Sequence, residues 1–217
     1  MKSAYFSPDN IDGKSWQMLR TLENYGTRHG IAFIPERAAL LIIDMQRYFL
    51  DRDSHAYVPS APPIVPRIKK LADAFLKRNL EVVLTRHVNS KGDAGVLAEW
   101  WEDMITEGDP LSEIIAEFDA THSSVIKKTQ YDAFYGTPLM DLLRERDAKQ
   151  LVVTGVMTHL CCETTARSAF VRGFKVFLPV DGTATYSEDF HRAALLNLSH
   201  GFAVPVLVED LITSLER

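Results

Sequence analysis

The 217-residue chain has only two cysteines, Cys161 and Cys162, and they are adjacent. A cross-link between neighbours closes no useful loop, so no disulfide framework staples this protein and a reducing compartment is expected. Long apolar runs are missing too. No stretch approaches the roughly 18 consecutive apolar residues of a membrane span, and the opening MKSAYFSPDNIDGKSW has no apolar core behind Lys2 of the kind a secretory leader carries. Nor is there an excess of positive charge: 24 Lys and Arg against 29 Asp and Glu leave a net charge of −5, whereas nucleic acid and anionic membranes recruit clustered positive charge. A Walker A motif, a G-x-G-x-x-G turn, internal repeats and Pro/Gly/Ser-rich linkers are all lacking, which removes support for phosphate or dinucleotide binding and for a multi-domain layout. The expectation left by these absences is a cytoplasmic globular protein with neither nucleic-acid nor membrane partners.

What the chain does contain is alternation. Six short, β-branched apolar runs fall at 39–44, 81–85, 124–127, 151–155, 175–179 and 203–206. Stretches of helical spacing lie between them at 64–78, 95–101, 137–146, 164–172 and 187–200. Continuously apolar strands separated by amphipathic helices predict an α/β fold of three layers, α/β/α, around a doubly wound six-stranded parallel sheet. The first 37 residues show no clear strand and carry Pro8, Gly13, Gly26 and Gly30. They read as an N-terminal arm, 1–37, ahead of a single domain over 38–217.

Sites in doubly wound sheets form at the carboxyl ends of the strands. Three predicted ends carry reactive side chains: Asp44 after ALLII, Lys128 after SVIK, and Cys161 six residues past Gly155. A thiol beside a carboxylate and an ammonium is a nucleophile with a proton acceptor and a charge stabiliser. Cys161 is expected at the start of the helix through ETTARSAF, where free N–H groups favour a thiolate and can hold an oxyanion. On this reading Lys128 lowers the thiol pKa further. Singly, each residue also has a plain structural explanation: a small buried hydrophobe, a helix cap, a solvated charge. Asp181 and Thr183 in VDGTATY read as turn and capping residues, and His191 and His200 as caps or solvent-facing groups.

The stretch GVMTHLCCETTARSAF, 155–170, resembles the nucleophile motif of the isochorismatase-like cysteine hydrolases, LLIIDMQRYFL at 40–50 resembles their first-strand motif, and KTQYDAFYGTPL at 128–139 resembles their lysine segment. The resemblance runs from about residue 35 to 211 and implies Asp44, Lys128 and Cys161 as the catalytic set. It also implies a cis peptide between Val156 and Met157, with the N–H groups of Met157 and Cys161 forming the oxyanion hole. Cys162 stands where the family usually has an apolar residue and reads as packing.

Within the family, nicotinamidases carry an Asp-x-His metal motif after the second strand. In TRHVNSKGD, Arg86 stands where that Asp is expected and His87 has no ligand partner at the right spacing, so no metal and no other cofactor is expected. Isochorismatases share the layout of the chain but have Gly where this sequence has Cys161. The retained thiol favours covalent hydrolysis of an amide, ureido or related C–N bond. Vinyl-ether hydrolysis through Asp44 alone, and a non-catalytic small-molecule-binding protein, are the alternatives. Gln46, Phe49, Arg86, Trp101, Tyr131 and Phe134 are the nominated pocket, with Arg86 pointing to a carboxylate-bearing small molecule. The resemblance further implies a homodimer or homotetramer.

Overall fold

The computed structural model describes residues 2–23, 25, 30–90, 92–101, 103–118 and 120–217. In chain order the elements are α1 (Ile11–Glu23), β1 (Ala38–Ile43), α2 (Arg47–Leu50), α3 (Val65–Lys77), β2 (Val82–His87), α4 (Leu97–Trp100), β3 (Ser124–Lys128), α5 (Leu139–Glu145), β4 (Gln150–Val156), α6 (Glu163–Val171), β5 (Lys175–Pro179), β6 (Thr183–Ala184), α7 (Glu188–Gly201), β7 (Ala203–Val206) and α8 (Val208–Leu215). The sheet runs in the order β3-β2-β1-β4-β5-β7, and every pairing is parallel. All six expected strands are present. Beyond them, β6 is a two-residue ladder on the end of β4, too short to leave a periodic signal.

The winding reverses between β1 and β4: the chain steps outward from β1 to β2 to β3, then returns to add β4, β5 and β7 on the other side. Right-handed crossovers therefore place α3 on one face and α6 with α7 on the other. Helix α8 returns to pack beside α3. Covered on both faces, β1 and β4 are buried along their whole length, which is why they read as unbroken apolar runs rather than alternating ones.

Three helices escape the sequence reading: α2, Arg47–Leu50, is too short to show a period, and α1 and α8 are missed for other reasons. In α1 the buried residues Ile11, Ser15, Met18 and Leu22 recur at helical spacing, but Gly13 and the polar Ser15 obscure the stripe. Helix α8 buries Val208, Leu211, Ile212 and Leu215 and follows β7 with almost no connecting loop. Ahead of α1, the extended segment is tied down by backbone: Tyr5 and Phe6 donate their N–H groups to Ser60 Oγ at 2.9 and 3.1 Å, and Ser3 donates to the Tyr186 carbonyl at 2.7 Å.

Asp181 behaves as read, accepting the Val208 N–H at 2.8 Å at the start of α8 and pairing with Arg67 at 2.7 Å. His191 does not. It is fully buried, with Nδ1 2.7 Å from the Tyr5 hydroxyl and 3.4 Å from Thr158 Oγ1. Its position on α7 faces the core, whereas its place in the sequence near Arg192 and Glu188 mimics a solvated turn.

Strands β1 and β4 pack backbone to backbone at Gly155, which has φ +104°. A Cβ there would lie 2.1 Å from the carbonyl oxygen of Ile43. Gly155→Ala is expected to lower the stability by about 3 kcal/mol or more, read as a fall in the urea midpoint; a midpoint matching wild type would mean the strands can part there.

A second expectation concerns acid. Burial, assisted by Arg192, pushes the His191 imidazole down to about 3, while in the unfolded chain it protonates near about 6.5. Between these values the unfolded state binds more protons, so stability falls as pH falls. The urea midpoint is expected to drop from neutral to about pH 4.5, with a shallower slope in His191→Leu; identical slopes would remove His191 as a cause.

Candidate active site

At the switch point of a doubly wound sheet, loops leave β1 and β4 in opposite directions and open a crevice. Asp44 is the first residue beyond β1 and adopts φ +51°, an uncommon conformation for a side-chain-bearing residue. Its backbone N–H donates to Thr85 Oγ1 at 3.0 Å, and that hydroxyl donates back to Asp44 Oδ1 at 2.6 Å. The second strand thus fixes both the main chain and one carboxylate oxygen. The other oxygen, Oδ2, lies 2.8 Å from Lys128 Nζ, with both side chains fully buried.

Lys128 ends β3, two strands away, and its long side chain crosses beneath β2 to reach Asp44. Its ammonium also meets the Gln130 carbonyl at 2.9 Å, His87 Nδ1 at 3.1 Å and Cys161 Sγ at 3.5 Å. Burial pulls the ammonium toward neutrality, but Asp44 and then Cys161 outweigh it and hold its pKa above the ordinary lysine value. The ion pair persists as a pair of charges because each removes the other's desolvation problem.

Cys161 lies in a wide, π-helical turn, Thr158–Cys162, that leads into α6. Such turns recur at functional sites because the extra residue re-aims a side chain. The peptide between Val156 and Met157 is cis. The expectation of a depressed thiol pKa is not met. Burial pushes the Cys161 thiol up to about 12; Lys128 pulls it down, but Asp44 works with burial to keep the proton on sulfur. Motif logic counted the ammonium and the helix, and could not count desolvation. Asp44 Oδ2 accepts no hydrogen bond of good geometry, so it retains lone-pair capacity toward that proton. Cys162 is fully buried, with Sγ 3.8 Å from the Thr154 carbonyl, in keeping with a packing role.

The thiol opens onto a cavity of about 440 Å³. Its walls include Tyr48, Phe49, Trp100, Trp101, Tyr131 and Tyr186, and its rim carries Lys2, His55 and Asp103. Of the nominated pocket residues, Phe49, Trp101 and Tyr131 line this space, and the Trp101 indole donates to the Tyr131 hydroxyl at 2.7 Å. The other three do not. Gln46 is a fully buried strap: its amide accepts the His87 N–H at 2.8 Å and donates to the carbonyls of His87 at 3.0 Å and Ser112 at 2.7 Å. Arg86 turns away to the Ser112 carbonyl at 3.0 Å and Glu113 at 2.7 Å, since adjacent strand residues point to opposite faces and His87 takes the inward one. Phe134 stacks on Phe174, with Arg172 over its ring 4.8 Å from the centroid. With Arg86 committed elsewhere, the expected carboxylate anchor is lost. Tyr48 and Trp100 sit beside nominated residues and were within reach of the sequence; Lys2, His55 and Tyr186 come from distant segments and carried no signal.

Asp44, His87 and Cys161 bring an oxygen, a nitrogen and a sulfur within 4.8 Å of one another. The Lys128 ammonium contacts all three and supplies the positive charge such a donor set would attract. Both His87 nitrogens are engaged, Nδ1 with Lys128 and Nε2 with Asn89 Oδ1 at 2.7 Å. These residues do not fit the metal that the nicotinamidase comparison implies.

A doubly wound parallel sheet with a buried carboxylate, ammonium and thiol converging at its switch point defines an α/β protein with a cysteine-centred site. The model of the isochorismatase domain matches residues 38–210. The chain is 41% identical to nicotinamidase 3 of Arabidopsis thaliana, over 82% of this chain and 88% of that one, and 32% identical to enterobactin synthase component B of Escherichia coli, over 83% of this chain and 64% of that one. A crystal structure of a cysteine hydrolase from Pseudomonas syringae pv. phaseolicola superposes with a TM-score of 0.81 at 27% identity, covering 85% of this chain and 94% of the other. The chain belongs to the isochorismatase family.

Two outcomes are expected from the site. Asp44→Asn or Lys128→Met alone removes about 3 to 5 kcal/mol of stability by stranding a buried partner, and the double variant loses less than the sum; additive losses in urea denaturation would show that the pair is not coupled. Alkylation of Cys161 by iodoacetamide, followed by intact mass, climbs with pH and reaches no plateau below about pH 10. A plateau near neutrality would reveal an ionised resting thiol.

Proposed function

We propose that this protein is a hydrolase that cleaves an amide, ureido or related C–N bond of a small, flat molecule through a thioester on Cys161. The observation that carries the proposal is the thiol at the base of an aromatic cavity, 3.5 Å from the buried Lys128 ammonium and beside the under-bonded Asp44 Oδ2. Asp44 accepts the Cys161 proton as sulfur attacks the carbonyl carbon. The S–C bond forms and the carbonyl oxygen takes up negative charge, which the N–H groups of Met157 and Cys161 receive. Lys128 offsets the charge on sulfur. Asp44 then returns the proton to the leaving nitrogen as the C–N bond breaks, and a water deprotonated by Asp44 releases the acid and restores the thiol.

A thiol held near 12 is neutral at rest, so proton transfer accompanies attack rather than preceding it. That protects the nucleophile from adventitious electrophiles between turnovers. The six aromatic walls suit a planar ring or conjugated acyl group. The nicotinamidase from Arabidopsis makes nicotinamide the first probe, followed by other primary amides and ureides. Residues 38–217 are taken as one hydrolase domain, with 1–37 its N-terminal arm.

Amide hydrolysis measured by ammonia release is expected to fall about a thousandfold or more in Cys161→Ala and in Asp44→Asn, with an acylated enzyme visible by mass in rapid-quench samples of wild type. Full ammonia release in Cys161→Ala, abolished only in Asp44→Asn, would replace the thioester with hydrolysis driven by Asp44 alone.

A further inference from the structure

Among the described residues that line the cavity, one side chain carries a permanent positive charge, and it is Lys2. Arg86 turns away from this space, and the Lys128 ammonium is fully buried against Asp44. Lys2 arrives from the segment ahead of α1, which is fastened beside the cavity at several points. Ser3 donates its N–H to the Tyr186 carbonyl at 2.7 Å, and the Tyr5 hydroxyl accepts the Thr185 N–H at 3.0 Å. The N–H groups of Tyr5 and Phe6 hold the same segment to Ser60. The position of Lys2 is therefore set by its neighbours in the chain.

Its ammonium joins two walls of the mouth. It donates to the carbonyl of His55, between α2 and α3, and stands over the ring of Tyr186, between β6 and α7, 4.4 Å from the centroid. Both partners are neutral. An ammonium has three N–H donors, and one of them goes to the carbonyl. The aromatic face attracts the charge without offering a lone pair in the manner of a carboxylate. Among the described residues no carboxylate pairs with Lys2, and burial, unopposed by an acid, lowers its pKa. The acid in the same wall, Asp103, lies 3.9 Å from His55 Nδ1 and adjoins the Tyr48 hydroxyl. Lys2 is thus a cation set at a cavity mouth without a counter-ion, and an anionic group on the ligand is the chemistry that supplies one.

We infer that Lys2 is a specificity-determining residue, whose ammonium receives a carboxylate on the small molecule at the end remote from the bond that Cys161 attacks. Lys2 then fills the role that Arg86 leaves vacant. Aromatic walls hold the body of the ligand between the two ends. The inference rests on the hydrolase reading for the direction in which the ligand lies. It is tested on ketones that have no C–N bond, so binding and turnover fail separately.

The experiment is calorimetric titration of the Cys161→Ala protein, in which no thiol at position 161 can add to a ketone. The probes are 3- and 4-acetylbenzoate, each paired with the nitroacetophenone in which a neutral nitro group of similar shape replaces the carboxylate. At least one acetylbenzoate is expected to bind about fivefold tighter than its nitro partner, as suits one partly exposed ion pair. Lys2→Met in the same background is expected to abolish that preference, and Lys2→Arg to retain it. The ratio within each pair is the readout, so a general change in the cavity cancels. Absence of any carboxylate preference, its survival in Lys2→Met, or its loss in Lys2→Arg as in Lys2→Met would overturn the inference. A preference that follows Lys2 while wild type releases no ammonia from amides would uphold the anion site and sink the hydrolase reading alone.

Discussion

The site depends on one buried ion pair. Asp44 and Lys128 meet at 2.8 Å with no solvent on either side chain, in a place where either charge alone would cost several kcal/mol to keep ionised. The surrounding architecture serves that contact. Thr85 orients the carboxylate from β2, Asp44 takes a positive φ to turn inward at the end of β1, and Gly155 lets β4 come close enough to the Ile43 carbonyl to seal the crevice. The pair binds three strands at their carboxyl ends, and the thiol is placed against it by a turn from a fourth position in the chain.

A consequence of this burial is that the chemistry is held in reserve. Desolvation keeps the proton on Cys161, although motif logic, weighing only nearby positive charge, expects a thiolate. The ammonium is shared among the carboxylate, a main-chain carbonyl, an imidazole and the sulfur. The same lysine contacts the carboxylate, the imidazole and the sulfur that would otherwise form a metal-donor set, so one charge serves both ends.

Aromatic walls and a charged rim complete the site, and they come from segments far apart in the chain. Tyr48 and Phe49 follow β1, Trp100 and Trp101 close α4, Tyr131 follows β3, and Tyr186 follows β6. The N-terminal segment adds Lys2, held where Ser3 bonds to Tyr186. Phe49 and Tyr131 were legible because they lie within the motif segments, and Trp101 because the family layout places a Trp before the third strand. Gln46, Arg86 and Phe134 were misread because proximity in sequence does not fix side-chain direction: Arg86 and His87 are neighbours on one strand and face opposite sides of the sheet.

By itself the sequence determined the parallel α/β layout, through apolar runs that only a doubly covered strand tolerates, and it determined that Asp44, Lys128 and Cys161 stand at strand ends. Periodicity and position are properties of the chain read locally, and both survive folding unchanged. Only the tertiary structure decided the protonation of the thiol, the partners of Lys128, the burial of His191 and the lining of the cavity. Each of these depends on desolvation and on side-chain direction, and neither exists until distant segments exclude water together.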